Sequence, residues 1–209
     1  MSTPRPAAAL RVSQLPSHLL PASRAFCLRD TATVARELLG GWLVRRIGTR
    51  LYGARLTEVE AYLGVDDPAC HSFGGRRTAR VEPMYRAGGH LYVFLVYGIH
   101  CCANVVTREE GVPQAVLLRA AQSERAEVPA SLLSGPAKLC RALGIDRRYS
   151  GLDLLEDARF GLYPDPVPAR RIVASPRIGV DYAGEAATWP LRFCIGDAPS
   201  LSRPARPRR

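Results

Sequence analysis

The sequence predicts an α+β fold: a single domain built on an antiparallel sheet, with a protruding β-hairpin and surrounding helices. The chain has 209 residues, which is enough for one well-buried core and too few for two. Several runs of β-branched and aromatic residues are separated by short turns, as in antiparallel hairpins. Two other segments carry helix start and stop signals. The domain is expected to span residues 25–197, between an N-terminal segment, 1–24, and a basic tail, 198–209, both predicted to be disordered.

The first elements of the domain are a helix and two strands. Asp30 can cap a helix that runs through TVARELL and stops at Gly40-Gly41, since a left-handed C-terminal residue is least strained when it is glycine. The segments WLVRRIG and LYGARLTEVEAYL follow as two antiparallel strands joined around Gly48. The second strand is therefore expected to lie inside the sheet.

This second strand alternates strictly over residues 56–63, LTEVEAYL. One side would carry Thr57, Val59, Ala61 and Leu63, and the other Glu58, Glu60 and Tyr62. The two carboxylates would lie about 7 Å apart along the strand. An acidic face on an ordinary edge strand is usually solvated, so the strand alone does not distinguish a surface from a site.

A long segment, GVDDPACHSFGGRRTARVEP, separates this strand from the next one. Loops of this length inside a compact domain usually have a function. Its candidate functional residues are His71, Gly74, Gly75, Arg76, Arg77 and Arg80. The glycines would let the backbone approach a ligand closely, and the arginines suit phosphates. A mobile, solvated surface loop is the alternative for any one of these residues taken alone.

The segment HLYVFLVYGIHCCANVVT predicts a strand, a tight turn at Tyr97-Gly98 and a second strand. Hairpin tips normally carry Asn, Asp or Gly because they face water, whereas this tip is apolar and aromatic. An aromatic side chain on a stiff hairpin is what a wedge between base pairs needs. The alternative is that another segment of the chain covers the tip.

The second half of the chain predicts three more strands and one helix. GVPQAVLLRAA is expected to be a strand ending in Arg119. Ser134-Gly135-Pro136 begins a helix, AKLCRAL, that stops at Gly144. RRIVASPRIGV and WPLRFCIG are late strands with proline at their margins. Residues 152–162 have a mixed pattern and are expected to be either helical or irregular.

The composition favours a polyanionic partner such as nucleic acid. Lys+Arg is 29 against Asp+Glu 19, a net charge of +10, and Lys138 is the only lysine. An anionic membrane surface is the weaker alternative. The longest uncharged run, Leu91 to Val106, is too short and too polar to span a membrane, and no export signal is evident.

The six cysteines show no disulfide-scaffold spacing and no C-x-x-C pair. We interpret them as reduced thiols of a cytoplasmic protein without a metal site. The sequence contains no phosphate-binding loop of the Walker or dinucleotide type, so no cofactor is expected.

Five sequence segments occur in an order that resembles a known family. TEVEAYLG, HSFGGRRTAR, MYRAGGHLYVFLVYGIHCCANVV, VLLRA and SGPAKLC are similar to the alkyladenine (3-methyladenine) DNA glycosylases, the alkylpurine-DNA glycosylases that lack a helix-hairpin-helix. The resemblance runs from about Phe26 to Ala198 and is densest between Thr57 and Arg119. Such an ordered series of motifs is far more specific than any one of them.

The resemblance implies a monomer with a curved antiparallel sheet that acts in base excision repair. The family flips a damaged purine out of double-stranded DNA and hydrolyses its N-glycosidic bond. In a bacterium such an enzyme would be associated with the nucleoid.

The resemblance also implies a role for individual residues. Glu60 would be the general base, Arg119 would help to hold the attacking water, Tyr62, His71 and Phe94 would line the base pocket, Asn104 would sit at its floor, and Tyr97 would be the wedge. Arg76, Arg77 and Arg80 would then contact DNA phosphates. The family often has tyrosine where this chain has Phe94, so the ring is kept and its hydroxyl is lost.

The chemistry of alkylated purines agrees with this set of residues. A purine alkylated at N3 or N7, as in 3-methyladenine and 7-methylguanine, is cationic and already a good leaving group. One carboxylate is then sufficient to activate water, and Glu58 stays outside the catalytic set. Lyase activity needs an amine nucleophile, and Lys138 is predicted on a helix surface, so we expect a monofunctional glycosylase. The competing classes are a noncatalytic nucleic-acid-binding protein and an arginine-rich ribosome-associated factor.

Overall fold

The computed structural model describes residues 5–205, which form nine strands, three α-helices and several short 3-10 turns. The strands are β1 (Arg11–Val12), β2 (Trp42–Ile47), β3 (Arg50–Tyr62), β4 (Leu91–Val96), β5 (His100–Thr107), β6 (Gln114–Gln122), β7 (Phe160–Tyr163), β8 (Ile172–Ser175) and β9 (Arg192–Ile195). The helices are α1 (Arg24–Cys27), α2 (Thr31–Leu38) and α3 (Pro136–Leu143). Within the described residues, no helix has the length and apolar character of a membrane span.

The strands form one antiparallel sheet. Its main order is β4-β5-β6-β3-β2-β7, β1 and β9 pair with β3, and β8 pairs with β9. The helices pack against this sheet, so the predicted α+β class with an antiparallel sheet is confirmed.

Strand β3 lies at the centre of the sheet and pairs with β1, β2, β6 and β9. Val59 and Ala61 point into the main hydrophobic core, as the alternation predicts, but Leu56 lies in the same core, so the strict alternation does not extend back to Leu56. Glu58 and Glu60 are nevertheless fully buried as well, each with 0% exposure. The solvated acidic face is therefore excluded, because the opposite side of β3 is covered by later segments of the chain.

The pairing of β3 with β6 is irregular where the carboxylates lie. Leu56 faces Ala121, Glu58 faces Ala120, and Val59 faces Leu118, so the register shifts twice within a few residues. Irregularities of this kind re-aim side chains and are common beside active sites. Here the shift leaves Arg119 without a partner in the ladder, opposite the acidic residues.

Both predicted longer helices are present. The Asp30 side chain accepts a hydrogen bond from the Thr33 N–H at the start of α2, as predicted. Helix α3 ends at Gly144 in the left-handed conformation, with φ of 65°. Its N-cap is Gly135, with no side-chain hydrogen bond, because the Ser134 hydroxyl instead donates to the carbonyl oxygen of Ala130.

Strands β4 and β5 form the predicted hairpin, with Phe94 facing Cys102. At its tip, Tyr97 and Gly98 have φ of 52° and 74°. Tyr97 is 91% exposed, so nothing in the described part of the chain covers the tip.

One strand boundary was predicted wrongly. Strand β6 continues to Gln122, so Arg119 lies within the strand rather than at its end. The three residues after it are Ala120, Ala121 and Gln122, two of which are small enough to stay buried beside β3. The late strands β8 and β9 match their predicted segments, and residues 152–162 are irregular until β7 begins.

The N-terminal segment differs from the predicted disorder. Strand β1 pairs with Tyr52 and Leu51 of β3, Leu10 is fully buried in the main core, and the Ala7 N–H donates to the Ala142 carbonyl at 2.7 Å. Residues 1–4 lie outside the described residues. The segment lacks a local apolar period, so its order depends on the free edge of β3 and cannot be read from its composition.

The C-terminal tail also differs from its prediction. Ser200 is fully buried, and its hydroxyl lies 3.0 Å from that of Thr57 on β3. Ser202 and Arg203 make further polar contacts with buried residues of the sheet. The tail therefore packs on the domain at least to Arg203, whereas residues 206–209 lie outside the described residues.

Candidate active site

A cavity of about 370 Å³ opens between β3, the β4–β5 hairpin and the loop that follows β3. This volume is within the range of small-ligand sites. The residues of the predicted site that line it are Tyr62, His71, Phe94, Tyr97, Asn104 and Arg119. The structure thus brings together, from four separate segments, side chains that the sequence could place only on their own elements.

The remaining predicted catalytic residue, Glu60, lies directly behind the cavity wall. Its Oε2 accepts hydrogen bonds from the Tyr62 hydroxyl at 2.9 Å and from Arg119 Nη1 at 3.2 Å. Its Oε1 accepts one from the backbone N–H of Ile178 at 2.8 Å. All three donor residues line the cavity, so the carboxylate is one layer away from any molecule bound there.

A second carboxylate, Glu58, shares Arg119 with Glu60. Arg119 Nε donates to Glu58 Oε1 at 2.8 Å, and Arg192 Nε donates to the same oxygen at 2.8 Å. Burial by itself would raise the pKa of Glu58, but the hydrogen bond from Arg192, the charge of Arg119 and the contacts with Ser202 lower it below its ordinary value. The Glu58 carboxylate is therefore ionised, and its oxygens accept four hydrogen bonds from protein donors. This agrees with leaving Glu58 outside the catalytic set.

Tyr62 joins the carboxylate to the cavity. Burial, together with the negative charge of Glu60 and the hydrogen bond to it, raises the pKa of Tyr62 well above its ordinary value. The phenol of Tyr62 therefore stays protonated and uses its O–H to donate a hydrogen bond to Glu60. The Arg177 guanidinium lies 4.7 Å from the centroid of the Tyr62 ring.

Aromatic side chains form another wall of the cavity. The Tyr92 and Phe94 rings stack at 5.6 Å with an angle of 29°, and the His71 ring meets Phe94 edge-on at 4.5 Å. His71 Nδ1 and the Tyr92 hydroxyl are hydrogen-bonded at 2.8 Å. Burial, and then the nearby charges of Arg80 and Arg76, lower the pKa of His71 from 6.5 to about 4. The imidazole is therefore neutral near pH 7.

Asn104 and Cys102 contribute polar atoms from β5. The Asn104 amide donates through Nδ2 to the Tyr92 carbonyl at 3.0 Å, which fixes the orientation of its side chain beside the cavity. Burial raises the pKa of Cys102 to about 11, so its thiol is protonated. Cys101 points away from the cavity and packs against the main core.

The three loop arginines that were predicted to contact phosphates are all exposed but differ in their surroundings. Arg77 pairs with Glu82 through two hydrogen bonds, at 2.9 and 2.7 Å, and its guanidinium lies over the Tyr85 ring. The Arg80 guanidinium lies 5.7 Å from the centroid of the Phe94 ring, which belongs to the cavity wall. None of the three arginines is among the residues that line the cavity itself.

Sequence reasoning missed several residues of the site. Tyr92 shares a strand face with Phe94, and that alternation was a signal that could have assigned it to the cavity. Ile178 acts through its backbone, and Arg192 and Ser202 reach the site from the far end of the chain. No local pattern marks these three residues, because their contacts form only when the sheet is complete.

The described residues contain no cluster of three or more His, Cys, Asp or Glu side chains that could hold a metal ion. All six cysteines are free. Lys138, the only lysine in the sequence, is exposed on α3 and is not among the residues that line the cavity.

Comparison with known proteins gives one consistent result. The family model for methylpurine-DNA glycosylase matches residues 25–199. A relative from Desulfitobacterium hafniense, named "Putative 3-methyladenine DNA glycosylase", is 46% identical over 197 residues, covering 86% of this chain and 97% of the relative. Relatives with the same name from Bdellovibrio bacteriovorus and Methanocella arvoryzae are each 44% identical, and they cover 82% and 87% of this chain and 93% and 96% of their own lengths.

Proposed function

Because the chain belongs to the methylpurine-DNA glycosylase family, we propose that it flips purines of the 3-methyladenine and 7-methylguanine type out of duplex DNA and hydrolyses their N-glycosidic bond with a water activated by Glu60. As a member of this family the chain is a DNA glycosylase, a hydrolase of DNA repair. The observation that carries the finer proposal is the buried Glu60 carboxylate, held one layer behind an aromatic cavity.

The cavity suits a flat, cationic base. An alkylated purine is electron-poor, so it is attracted to electron-rich rings by on the order of 1–2 kcal/mol per well-placed ring. Tyr62 and Phe94 supply such rings on the cavity walls. His71 adds no repulsion, because burial lowers its pKa to about 4 and keeps it neutral.

Glu60 has one acceptor position left for a water molecule. A carboxylate has about four lone-pair positions, two on each oxygen. Two donors occupy Oε2, but only the Ile178 N–H occupies Oε1. In this proposal the attacking water binds at the free position of Oε1, on the side of Ile178, which lines the cavity. The carboxylate takes the proton from the water as its oxygen attacks the anomeric carbon.

Arg119 can hold the same water. Its guanidinium has five N–H donors, and the hydrogen bonds to Glu58, Glu60 and Ser202 use three of them. The Glu60 carboxylate also stabilises the positive charge that develops on the sugar as the bond to the base breaks and the base departs. A cationic purine leaves without being protonated, so no general acid is required for this class of lesion.

Base flipping is assigned to the tip of the hairpin. A base inside a duplex must leave the stack before it can reach the cavity, at a cost of a few kcal/mol. Tyr97 lines the mouth of the cavity and projects into solvent, so its ring can fill the space that the flipped nucleotide vacates. Arg80 and Arg76 lie on the neighbouring loop, where phosphates of the flipped strand would pass.

The candidate site residues all come from one chain, which supports a monomeric enzyme. Membership of a DNA glycosylase family supports a cytoplasmic location, associated with the nucleoid in a bacterium. The absence of a lysine from the cavity lining supports monofunctional hydrolysis. Borohydride treatment during turnover is accordingly expected to trap no covalent adduct with DNA.

The Glu60→Gln variant tests the proposal. Methylated duplex DNA is incubated with enzyme in excess, and free 3-methyladenine and 7-methylguanine are quantified by chromatography. Loss of the general base is expected to slow release at least about 100-fold. Binding to a duplex that contains a single ethenoadenine should persist, since Glu60 lies behind the cavity wall and not in it.

Glu124→Gln is the matched control, because Glu124 carries the same group on the surface, where it pairs with Arg55. It should release bases at the wild-type rate. A noncatalytic DNA-binding protein would release no base even as wild type, and a Glu60→Gln variant with full activity would reject Glu60 as the base.

A further inference from the structure

The C-terminal segment Pro199–Arg203 packs against the part of β3 where the pairing register shifts and the carboxylate of Glu58 lies. Its contacts are polar and specific: Ser200 pairs with Thr57 at 3.0 Å, and Arg192 donates to the carbonyl oxygen of Arg203. Between these two anchors, Ser202 reaches both Glu58 and Arg119. The tail thus lies beside the catalytic residues, although Glu58 and Ser202 are 144 residues apart in the sequence.

Ser202 meets Glu58 with two donors at once. Its backbone N–H donates to Glu58 Oε2 at 2.6 Å, and its hydroxyl donates to Glu58 Oε1 at 2.6 Å. Together with Arg119 and Arg192, these bonds give the buried carboxylate four donors. Glu58 is therefore a fixed anchor, and Ser202 is one of the residues that fix it.

The same hydroxyl also accepts a hydrogen bond from Arg119 Nη2, at 3.1 Å. Each nitrogen of the guanidinium then has one partner: Nε binds Glu58, Nη2 binds Ser202 and Nη1 binds Glu60. Two partners on one edge of a planar group define its orientation. The bond to Glu60, at 3.2 Å, is the longest of the three, so it is the one most sensitive to a rotation of the plane.

We propose that Ser202 is a positioning residue for base release: its hydroxyl ties Arg119 to Glu58 and thereby holds the guanidinium in the plane that reaches Glu60. This inference rests on the proposed function of Glu60. Ser202 touches neither the cavity nor the reacting atoms, and it acts only through Arg119.

The test compares Ser202→Thr with Ser202→Val, two side chains of the same shape that differ in the hydroxyl. Ser202 is partly exposed, so a branched side chain has room. Single-turnover release of 3-methyladenine and the dissociation constant for ethenoadenine DNA are measured for both variants. We expect Ser202→Val to slow release about 10- to 100-fold with an unchanged dissociation constant, since small misplacements of catalytic groups cost rate rather than affinity. Ser202→Thr should retain nearly the wild-type rate.

Ser200→Ala is the control for docking of the segment, because it removes a buried polar contact of the same segment without touching Arg119 or Glu58. It should lower the melting temperature yet release bases at nearly the wild-type rate. Equal rates for the Thr and Val variants, or a Ser200→Ala variant as slow as Ser202→Val, would overturn the inference. A wild-type enzyme that releases no base would instead reject the proposed function itself.

Discussion

The charge of His71 decides whether the cavity attracts or repels a cationic base. A protonated imidazole beside Phe94 would repel an alkylated purine, whereas a neutral one can stack or donate a hydrogen bond. The structure keeps it neutral, because burial and two nearby arginines lower its pKa from 6.5 to about 4. The hydrogen bond with Tyr92 orients the ring, so that one nitrogen is occupied and the other remains for a ligand.

We predict that one histidine of this protein titrates near pH 4. The measurement is a proton NMR titration of the ring signals, and His71→Gln identifies the signal by removing it. The sequence has four histidines, and the ring signals of the other three should remain in the spectrum of His71→Gln. A His71 signal that titrates near 6.5 would show that the cavity is more open to water than its packing indicates.

The same shift has a consequence for stability. The unfolded chain binds a proton at His71 below about pH 6.5, whereas the folded protein does so only below about 4. The unfolded state therefore holds more protons in this window, and the contribution of His71 to stability is lost as the pH falls from about 6.5 to 4. His71→Gln should make unfolding in urea less sensitive to pH across that window.

At the scale of the element, the hairpin tip combines a backbone conformation that is unfavourable for tyrosine with an exposed aromatic ring. Tyr97 has a φ of 52°, a region that bulky residues rarely adopt, and its ring is almost entirely in solvent. Neither feature stabilises the fold, since glycine or asparagine would suit the turn better. A residue that weakens its own element is expected to serve a function, which supports the wedge.

We predict that Tyr97→Asn weakens binding to lesion DNA without lowering the melting temperature. Asparagine tolerates the left-handed backbone, and the lost ring packs against no core. Fluorescence anisotropy with duplexes that contain or lack ethenoadenine measures the loss of lesion preference. Leu20→Asn is the control, because Leu20 is exposed at 76% and does not line the cavity. If Tyr97→Asn unfolds the protein, the tip supports the fold and the wedge is rejected.

At the scale of the molecule, the site is framed by buried ion pairs rather than by apolar packing alone. Arg177 donates to Asp67 through both terminal nitrogens, and to the Ala61 carbonyl at 3.0 Å. Asp67 also accepts from the N–H groups of Leu63 and Ala69. The Arg177–Asp67 ion pair thus fixes the end of β3, the loop that follows β3 and the backbone next to Ile178. The N–H of Ile178 in turn donates a hydrogen bond to Glu60.

We predict that Asp67→Asn destabilises the protein by about 3–5 kcal/mol, because it leaves the guanidinium buried without its counter-charge. Urea unfolding followed by circular dichroism measures the change. Glu82→Gln is the matched control, since it breaks the exposed pair with Arg77 and should lower the free energy of unfolding far less than Asp67→Asn does. Similar losses for the two variants would mean that Asp67 is not an important anchor.

The sequence was most informative where a local pattern has one physical meaning. The alternation in β3 from Val59 onwards, the cap of α2, the glycine after α3 and the ordered motifs of the family all predicted features that the structure or the comparisons confirm. The site residues themselves remain predictions, although the structure gathers them around one cavity. The described parts of both terminal segments differ from the predicted disorder, because composition reports local propensity and not the contacts that a segment makes with the assembled sheet.

The sequence by itself therefore determined the fold class, the hairpin with its aromatic tip and the family, since each depends on residue spacings of a few positions. Only the tertiary structure decided that Glu58 and Glu60 are buried, that Arg119 is shared between them, and that the tail returns to hold it. The reason is that a buried charge is tolerable only when several distant donors converge on it. Such convergence is a property of the assembled sheet and leaves no periodic trace along the chain.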